Sequence, residues 1–162
     1  TLFYTTTYAL TLLGAFGVVA LVRRETGGDD FAHFATLRSR SPLLAGCMAV
    51  FMLSLAGLPP LAGFFGKFYL FAAALRADEN QGLLWLVVLA LLGSLFSLYY
   101  YLLVLKVIFV TGTAANALEP GDEAPARIDP LQRVTVAVLA VVVLGLGVVP
   151  GVLLQRIASS LP

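Results

Sequence analysis

Charged residues and cysteine are scarce in this sequence. Only 12% of the residues are charged, and ten basic against nine acidic residues leave a formal net charge of +1. The basic residues are not massed into a stripe that could follow a phosphate backbone, which argues against nucleic acid as a partner. Cys47, the single cysteine, cannot by itself form a disulfide or a thiolate iron–sulfur site. His33, the single histidine, lacks a second ligand at a metal-like spacing, and we interpret it as a surface residue.

Apolar residues dominate the sequence. They make up 60% of the chain, with a mean hydropathy of +0.96, whereas soluble domains contain about 45–50%. This composition predicts an integral membrane protein. The chain begins at Thr1 directly in an apolar stretch, without the basic start or the cleavage site of a signal peptide. We therefore expect a piece of a longer membrane protein.

Four long apolar segments predict an all-α, polytopic membrane protein. A helix needs about 20 apolar residues to cross a hydrocarbon core of about 30 Å. The predicted transmembrane segments are 1–22, 42–76, 83–110 and 131–156. Polar residues predict loops at 23–41 and 111–130. In the first loop we expect a short amphipathic helix capped by Asp30, because the apolar residues that follow recur at three-residue spacing: Phe31, Phe34 and Leu37.

The basic residues near the segment ends predict an orientation. Loop 23–41 carries four arginines, and 111–133 carries two arginines beside Lys106, whereas the opposite ends have only Arg76 and Arg156. Under the positive-inside rule both richer loops face the cytoplasm. We interpret Lys106 as an anchor at the membrane interface.

The second segment is too long for one straight helix. A helix of its length would measure about 50 Å. Pro59 and Pro60 are adjacent within it, and neither has the amide hydrogen that would bond the carbonyls of Leu55 and Ala56. We therefore predict a discontinuous helix with half-helices at about 43–56 and 63–76, broken near 57–63. Glycines make the backbone there permissive: Gly57, Gly63 and Gly66. Such a break is tolerated inside a helix bundle, not against lipid.

Lys67 is the one charged residue in this segment before Arg76 at its end. Placing a charge at membrane depth costs about 2.5 kcal/mol or more, so such a residue is a candidate functional site. About 13 Å of helix separates it from Arg76, which places it near the middle of the membrane. Desolvation and the positive end of the second half-helix disfavour the ammonium, while carbonyls freed by the prolines could accept its hydrogen bonds. Lys67 is therefore predicted as a proton relay; a permanently charged residue paired with an acid elsewhere is the alternative.

Hydroxyl side chains inside the segments are weaker candidates. We select Thr11, Ser54 and Tyr99 as a possible polar path to Lys67, although helix packing is the favoured role for any single hydroxyl. Three consecutive tyrosines, 99 to 101, cannot all face one way, so at most two can join a path. The other candidates of this kind are Thr5, Thr6, Thr7, Ser94 and Ser97.

The residues around the break carry a family resemblance. The stretch from Ser54 to Tyr69, SLAGLPPLAGFFGKFY, resembles the signature of antiporter-like subunit N of bacterial respiratory complex I, a relative of mitochondrial NADH dehydrogenase subunit 2. The stretches around Tyr8 and Tyr99 are similar to flanking parts of the same family. The most specific motifs are the paired prolines and the Gly-Lys-Phe-Tyr sequence that ends at Tyr69.

This resemblance implies that the chain is part of a larger membrane protein complex. Such subunits have about fourteen transmembrane helices, and the four segments would correspond to helices 11 to 14, the carboxy-terminal third. The discontinuous helix 12 of the family carries a lysine associated with proton translocation, and the matching residue is Lys67. NADH, flavin, iron–sulfur clusters and quinone would be bound elsewhere in the complex, and no cofactor or metal is expected on this chain. Other membrane-arm subunits, including neighbouring antiporter-like subunits, would be partners in the bacterial inner membrane.

Two other functions remain open from the sequence. A subunit of a multisubunit sodium/proton antiporter would share the fold. A purely structural membrane subunit would share the hydrophobic segments without using Lys67 as a relay.

Overall fold

All the regular elements that the structure describes are helices, which confirms the predicted all-α class. The computed structural model describes residues 2–76, 84–111 and 129–148. In these ranges the elements are α1 (Leu2–Thr26), α2 (Phe31–Ala35), α3 (Leu37–Arg40), α4 (Pro42–Ala56), α5 (Ala62–Arg76), α6 (Leu84–Lys106), a π-helical turn (Val107–Thr111) and α7 (Pro130–Val148).

Three stretches of helix are long and apolar enough to cross a membrane within the described part of the chain. They are α1, α6 together with the π-helical turn, and α7. Helices α4 and α5 have only 15 residues each, about 22 Å of helix, which is too short for one of them to cross a hydrocarbon core alone. Residues 57–61 separate these two helices, and we call this segment the break.

Helix α1 continues past the end predicted for it. The first segment was predicted to end at Val22, directly before the arginine pair at 23 and 24, but the helix runs to Thr26. Arginine is a good helix former, so a pair of arginines marks the end of the apolar stretch and does not end the backbone helix. Gly27 ends it, with φ +75° and its amide donating to the carbonyl of Arg23 at 2.9 Å.

The segment after α1 forms two very short helices where one was expected. Asp30 occupies the N-cap position of α2, but its side chain makes no capping hydrogen bond. Ser41 likewise precedes Pro42 at the start of α4 without a side-chain cap, and its backbone carbonyl accepts the amide of Ala45 at 3.1 Å. The sequence pattern located both helix starts, while the side-chain bonds of ordinary caps are not made there.

Helix α4 lies at the centre of the described bundle. It packs against α1, α6 and α7, and α5 packs against α1 and α7. Phe51 and Leu44 of α4 are completely buried, as are Val18 and Val22 of α1. By contrast, most of the apolar surface of α6 is exposed within this chain. The break, which follows α4 directly, therefore lies beside the most buried helix of the bundle.

Other predicted boundaries fall partly outside the described ranges. The third segment is described from Leu84 to the π-helical turn at Thr111. The fourth begins at Pro130 and is described to Val148, so its predicted end at 156 lies outside the described residues. Most of the predicted loop at 111–130 lies outside them as well.

Candidate functional site

The carboxyl end of α4 is closed by a glycine turn. Gly57 adopts the left-handed conformation, with φ +82°. Its amide donates to the carbonyl of Ser54 at 3.0 Å, and the amide of Leu58 donates to the carbonyl of Leu53 at 3.2 Å. This pair of bonds is a Schellman motif, which satisfies two of the four carbonyls that a helix end leaves free. The carbonyls of Leu55 and Ala56 remain.

Lys67 supplies the donors for these two carbonyls. Its Nζ donates to the carbonyl of Leu55 at 3.0 Å and to that of Ala56 at 3.5 Å. The third hydrogen bond goes to Oγ of Ser94 on α6, at 2.8 Å. An ammonium has three N–H donors, so these three oxygens saturate it. The two carbonyls are those that the paired prolines were expected to leave free.

The surroundings of the Lys67 ammonium are polar without being acidic. The carboxyl end of α4 carries the negative end of its helix dipole, which favours a cation there. The ion pairs found among the described residues are Arg23 with Asp29 and Arg24 with Asp129, both exposed, and neither includes Lys67. Backbone dipoles and one hydroxyl, not a carboxylate, therefore hold the charge within the described chain. The carboxyl end of α4 opposes the effect expected from the amino end of α5.

Ser54 connects the two sides of the break. Its Oγ accepts the amide of Gly63 at 3.2 Å, which satisfies one of the free amides at the start of α5. A Cβ on Gly63 would collide with the backbone carbonyl oxygen of Ser54. Gly66, also in α5, lies against the ring of Tyr4, where an added Cβ would be 3.1 Å from the ring. Glycine is needed at position 63 because the two backbones come this close, whereas a Cβ at position 66 would require the Tyr4 ring to shift by a few tenths of an ångström.

Two spaces adjoin Lys67. The larger is an open cavity of about 280 Å³, and its polar lining comes from α1, α5 and α6: Tyr4, Tyr8, Lys67, Ser94, Ser97 and Tyr101. The smaller, about 10 Å³, lies between α1, the end of α4 and the start of α5, and includes Thr7, Thr11 and Ser54 in its lining. A space of about 10–15 Å³ is the least that holds one water molecule, whereas the larger cavity has room for several.

The structure brings some of the candidate path residues to Lys67 and not others. Thr11 and Ser54 are buried and line the smaller space, but the Thr11 hydroxyl donates to the carbonyl of Thr7 at 2.7 Å in its own helix. Tyr99 does not line either space and is 65% exposed. Tyr101 takes the place expected for Tyr99 because it lies only about 20° around α6 from Ser94, whereas Tyr99 lies about 140° away.

Sequence reasoning did not select Tyr4, Tyr8 or Tyr101. Their spacing could have indicated a shared polar face of α6 for part of this set, since Ser97 and Tyr101 follow Ser94 by three and seven residues. The spacing becomes informative only once Ser94 is known to contact Lys67, because the rotation of α6 determines which face meets the break.

Comparison with known proteins places this arrangement in a family. Residues 1–97, more than half of the chain, match the model of the NADH:quinone oxidoreductase/Mrp antiporter transmembrane family. The chain belongs to this family. This chain is 49% identical over 155 residues to NADH-quinone oxidoreductase subunit N 2 of Acidobacterium capsulatum, and 42% identical over 166 residues to subunit N of Paraburkholderia phymatum. These alignments cover 95% and 99% of this chain.

A solved structure supports the same assignment for this antiporter-family member. A chain of respiratory complex I from Thermus thermophilus, solved with bound aureothin, matches with a TM-score of 0.70 and 33% identity over 94% of this chain. The match covers 34% of that chain, and this chain covers 30% and 32% of the two curated relatives. The sequence thus spans about a third of the length of its relatives. It is a membrane protein of the antiporter-like class.

Proposed function

We propose that this chain is the carboxy-terminal part of subunit N of a NADH:quinone oxidoreductase and translocates protons through Lys67. The observation that carries the proposal is the binding of the Lys67 ammonium by two backbone carbonyls and the Ser94 hydroxyl beside a cavity. A proton-relay residue must be stable when charged and must also be able to lose its proton. Neutral acceptors support both states, whereas a carboxylate in contact would hold the charge more strongly.

In this proposal α4 and α5 form one discontinuous transmembrane helix. Each is too short to cross alone, but together with the break they are long enough. The irregular backbone of the break is covered by protein: a Cβ on Gly147 of α7 would collide with Pro60 and Ala62. Non-helical backbone at membrane depth requires such cover or a water-filled cavity, and α7 supplies the cover here. The chain would then contribute four membrane crossings, helices 11 to 14, to an approximately fourteen-helix protein.

The partners and the location follow from the family. Other membrane-arm subunits, including neighbouring antiporter-like subunits, would pack against this one in the bacterial inner membrane, with the loops at 23–41 and 111–130 on the cytoplasmic side. The exposed apolar surface of α6 supports contact with lipid or with further helices. Redox cofactors and quinone would be bound by other subunits, so this chain would use the energy of the reaction without taking part in electron transfer.

The alternative within the same family is a subunit of a multisubunit sodium/proton antiporter. The two differ in what the full-length protein assembles with. We expect the tagged full-length protein, isolated from its own membranes, to migrate with subunits that oxidise NADH, and its proton pumping to require NADH and quinone but not sodium. Sodium-dependent proton exchange in a particle without NADH oxidation would contradict the complex I assignment.

A purely structural subunit is the remaining alternative. It predicts that assembled complexes pump protons at the normal rate after both Lys67→Ala and Lys67→Arg. The relay proposal predicts the opposite for both, because alanine has no titratable group and arginine does not release its proton in proteins.

A further inference from the structure

The three partners of the Lys67 ammonium differ in what they can do once the proton leaves. Backbone carbonyls of Leu55 and Ala56 only accept hydrogen bonds, but the Ser94 hydroxyl both donates and accepts. A neutral amine has two N–H donors and one lone pair. The two carbonyls would still be satisfied by the two N–H groups, and only Ser94 can turn its O–H toward the lone pair. Of these three partners, Ser94 is therefore the one that can accept a hydrogen bond from the charged ammonium and donate one to the neutral amine.

Lys67 and Ser94 both line the larger cavity, and the three N–H donors of the Lys67 ammonium are bonded to protein oxygens. The bond from Lys67 Nζ to Ser94 Oγ is the shortest of the three, at 2.8 Å, and Ser94 lines the cavity of about 280 Å³. Ser97 and Tyr101 line it from the same face of α6, about 4.5 Å and 10.5 Å further along the helix. Hydroxyl groups thus continue from Ser94 along one wall of a space large enough for several water molecules.

We propose that the Ser94 hydroxyl is the group through which Lys67 exchanges its proton with water in this cavity. The inference rests on the proposed function of Lys67 as a proton relay. In the step, the Nζ–H bond directed at Ser94 breaks and an O–H bond forms on the Ser94 oxygen. The original hydroxyl proton of Ser94 passes to a water molecule in the cavity. Lys67 is left as a neutral amine, the water as hydronium, and no electron is transferred. The reverse sequence reloads the lysine.

The test uses the full-length protein in the assembled complex, reconstituted into vesicles, with NADH-driven proton pumping as the readout. Ser94→Ala removes the exchangeable hydroxyl, and we expect pumping to slow about tenfold or more, since a positioned proton-transfer group contributes about 10² or more. Ser94→Thr keeps the hydroxyl, and we expect it to retain at least about half of the wild-type rate on the same grounds. Thr135→Val is the matched control, because that exposed hydroxyl on α7 donates only to the Leu131 carbonyl in its own helix, at 2.9 Å.

A fourth variant separates proton exchange from simple positioning. Ser94→Asn offers Lys67 an oxygen acceptor but no hydroxyl proton to pass on, so we expect it to pump as slowly as Ser94→Ala. Wild-type pumping by Ser94→Ala or by Ser94→Asn, or an equally slow Ser94→Thr, would overturn the proposal. Lys67→Ala in the same assay distinguishes the two levels of inference: if it abolishes pumping while Ser94→Ala does not, only the role of Ser94 fails. If Lys67→Ala pumps normally, the proposed function itself fails.

Discussion

Gly63 shows how much the site depends on a single missing side chain. Its amide is held by Oγ of Ser54, and its Cα faces the Ser54 backbone carbonyl so closely that no Cβ fits between them. The contact fixes the start of α5 against the last turns of α4. It thereby sets the distance that the Lys67 side chain must span to reach the Leu55 and Ala56 carbonyls.

Gly63→Ala should therefore destabilise the break. The colliding atom is backbone, which cannot rotate away, so we expect a cost of about 1–3 kcal/mol or more from overpacking. Gly46→Ala is the matched control, because a Cβ there meets nothing within 4 Å, and alanine is favoured over glycine inside a helix. The measurement is the temperature at which the assembled complex loses activity. We expect Gly63→Ala to lower it and Gly46→Ala to leave it unchanged or raise it; equal values for both would contradict the close contact.

At the scale of the helices, the break is closed by its own glycine turn and by three helices, α5, α6 and α7. The glycine turn satisfies two carbonyls of α4, Lys67 of α5 satisfies the other two, and Ser94 of α6 completes the ammonium. Helix α7 covers the other side, where Gly147 lies against the backbone of the break. The site is thus assembled from elements far apart in the sequence, and its geometry depends on how the helices dock.

Docking of α7 can be tested separately from the chemistry. A Cβ at position 147 would lie 2.6 Å from the Ala62 amide nitrogen and would also collide with the Pro60 carbonyl oxygen, so Gly147→Ala must push α7 away from the break. Gly145→Ala, two residues away, points into open space and serves as the control. We expect Gly147→Ala to reduce both the heat stability and the pumping rate of the complex, with Gly145→Ala near wild type. Normal behaviour of Gly147→Ala would mean that α7 does not cover the break as described.

Local features of this site could be predicted from the sequence, whereas features that depend on helix docking could not. The all-helical class and the free carbonyls at Leu55 and Ala56 follow from local rules, since long apolar segments favour helices and proline lacks an amide hydrogen. The end of α1 was misplaced because arginine signals a membrane boundary but not the end of a helix, which Gly27 provides. The sequence could not decide between Tyr99 and Tyr101, or select Ser94 for the path, because these choices depend on tertiary structure. The rotation of α6 against the break is set by packing and is not encoded in local spacing.

At the scale of the whole molecule, the chain spans about a third of the length of the two curated relatives. Within that third, Lys67 and Lys106 are the two lysines and occupy opposite kinds of site. Lys67 is half-buried and bound by three protein oxygens, whereas Lys106 is exposed in the last turn of α6. Substitutions of Lys106 can therefore serve as the control for substitutions of Lys67, which test whether the half-buried lysine takes part in translocation.

The most direct measurement is NADH-driven proton pumping by assembled, reconstituted complex carrying Lys67→Ala, Lys67→Arg or Lys106→Ala. We expect pumping slower by about tenfold or more with both Lys67 variants, because each removes the proton exchange on which transfer depends. We expect wild-type pumping with Lys106→Ala. Wild-type pumping by both Lys67 variants in fully assembled complex would show that Lys67 does not relay the proton.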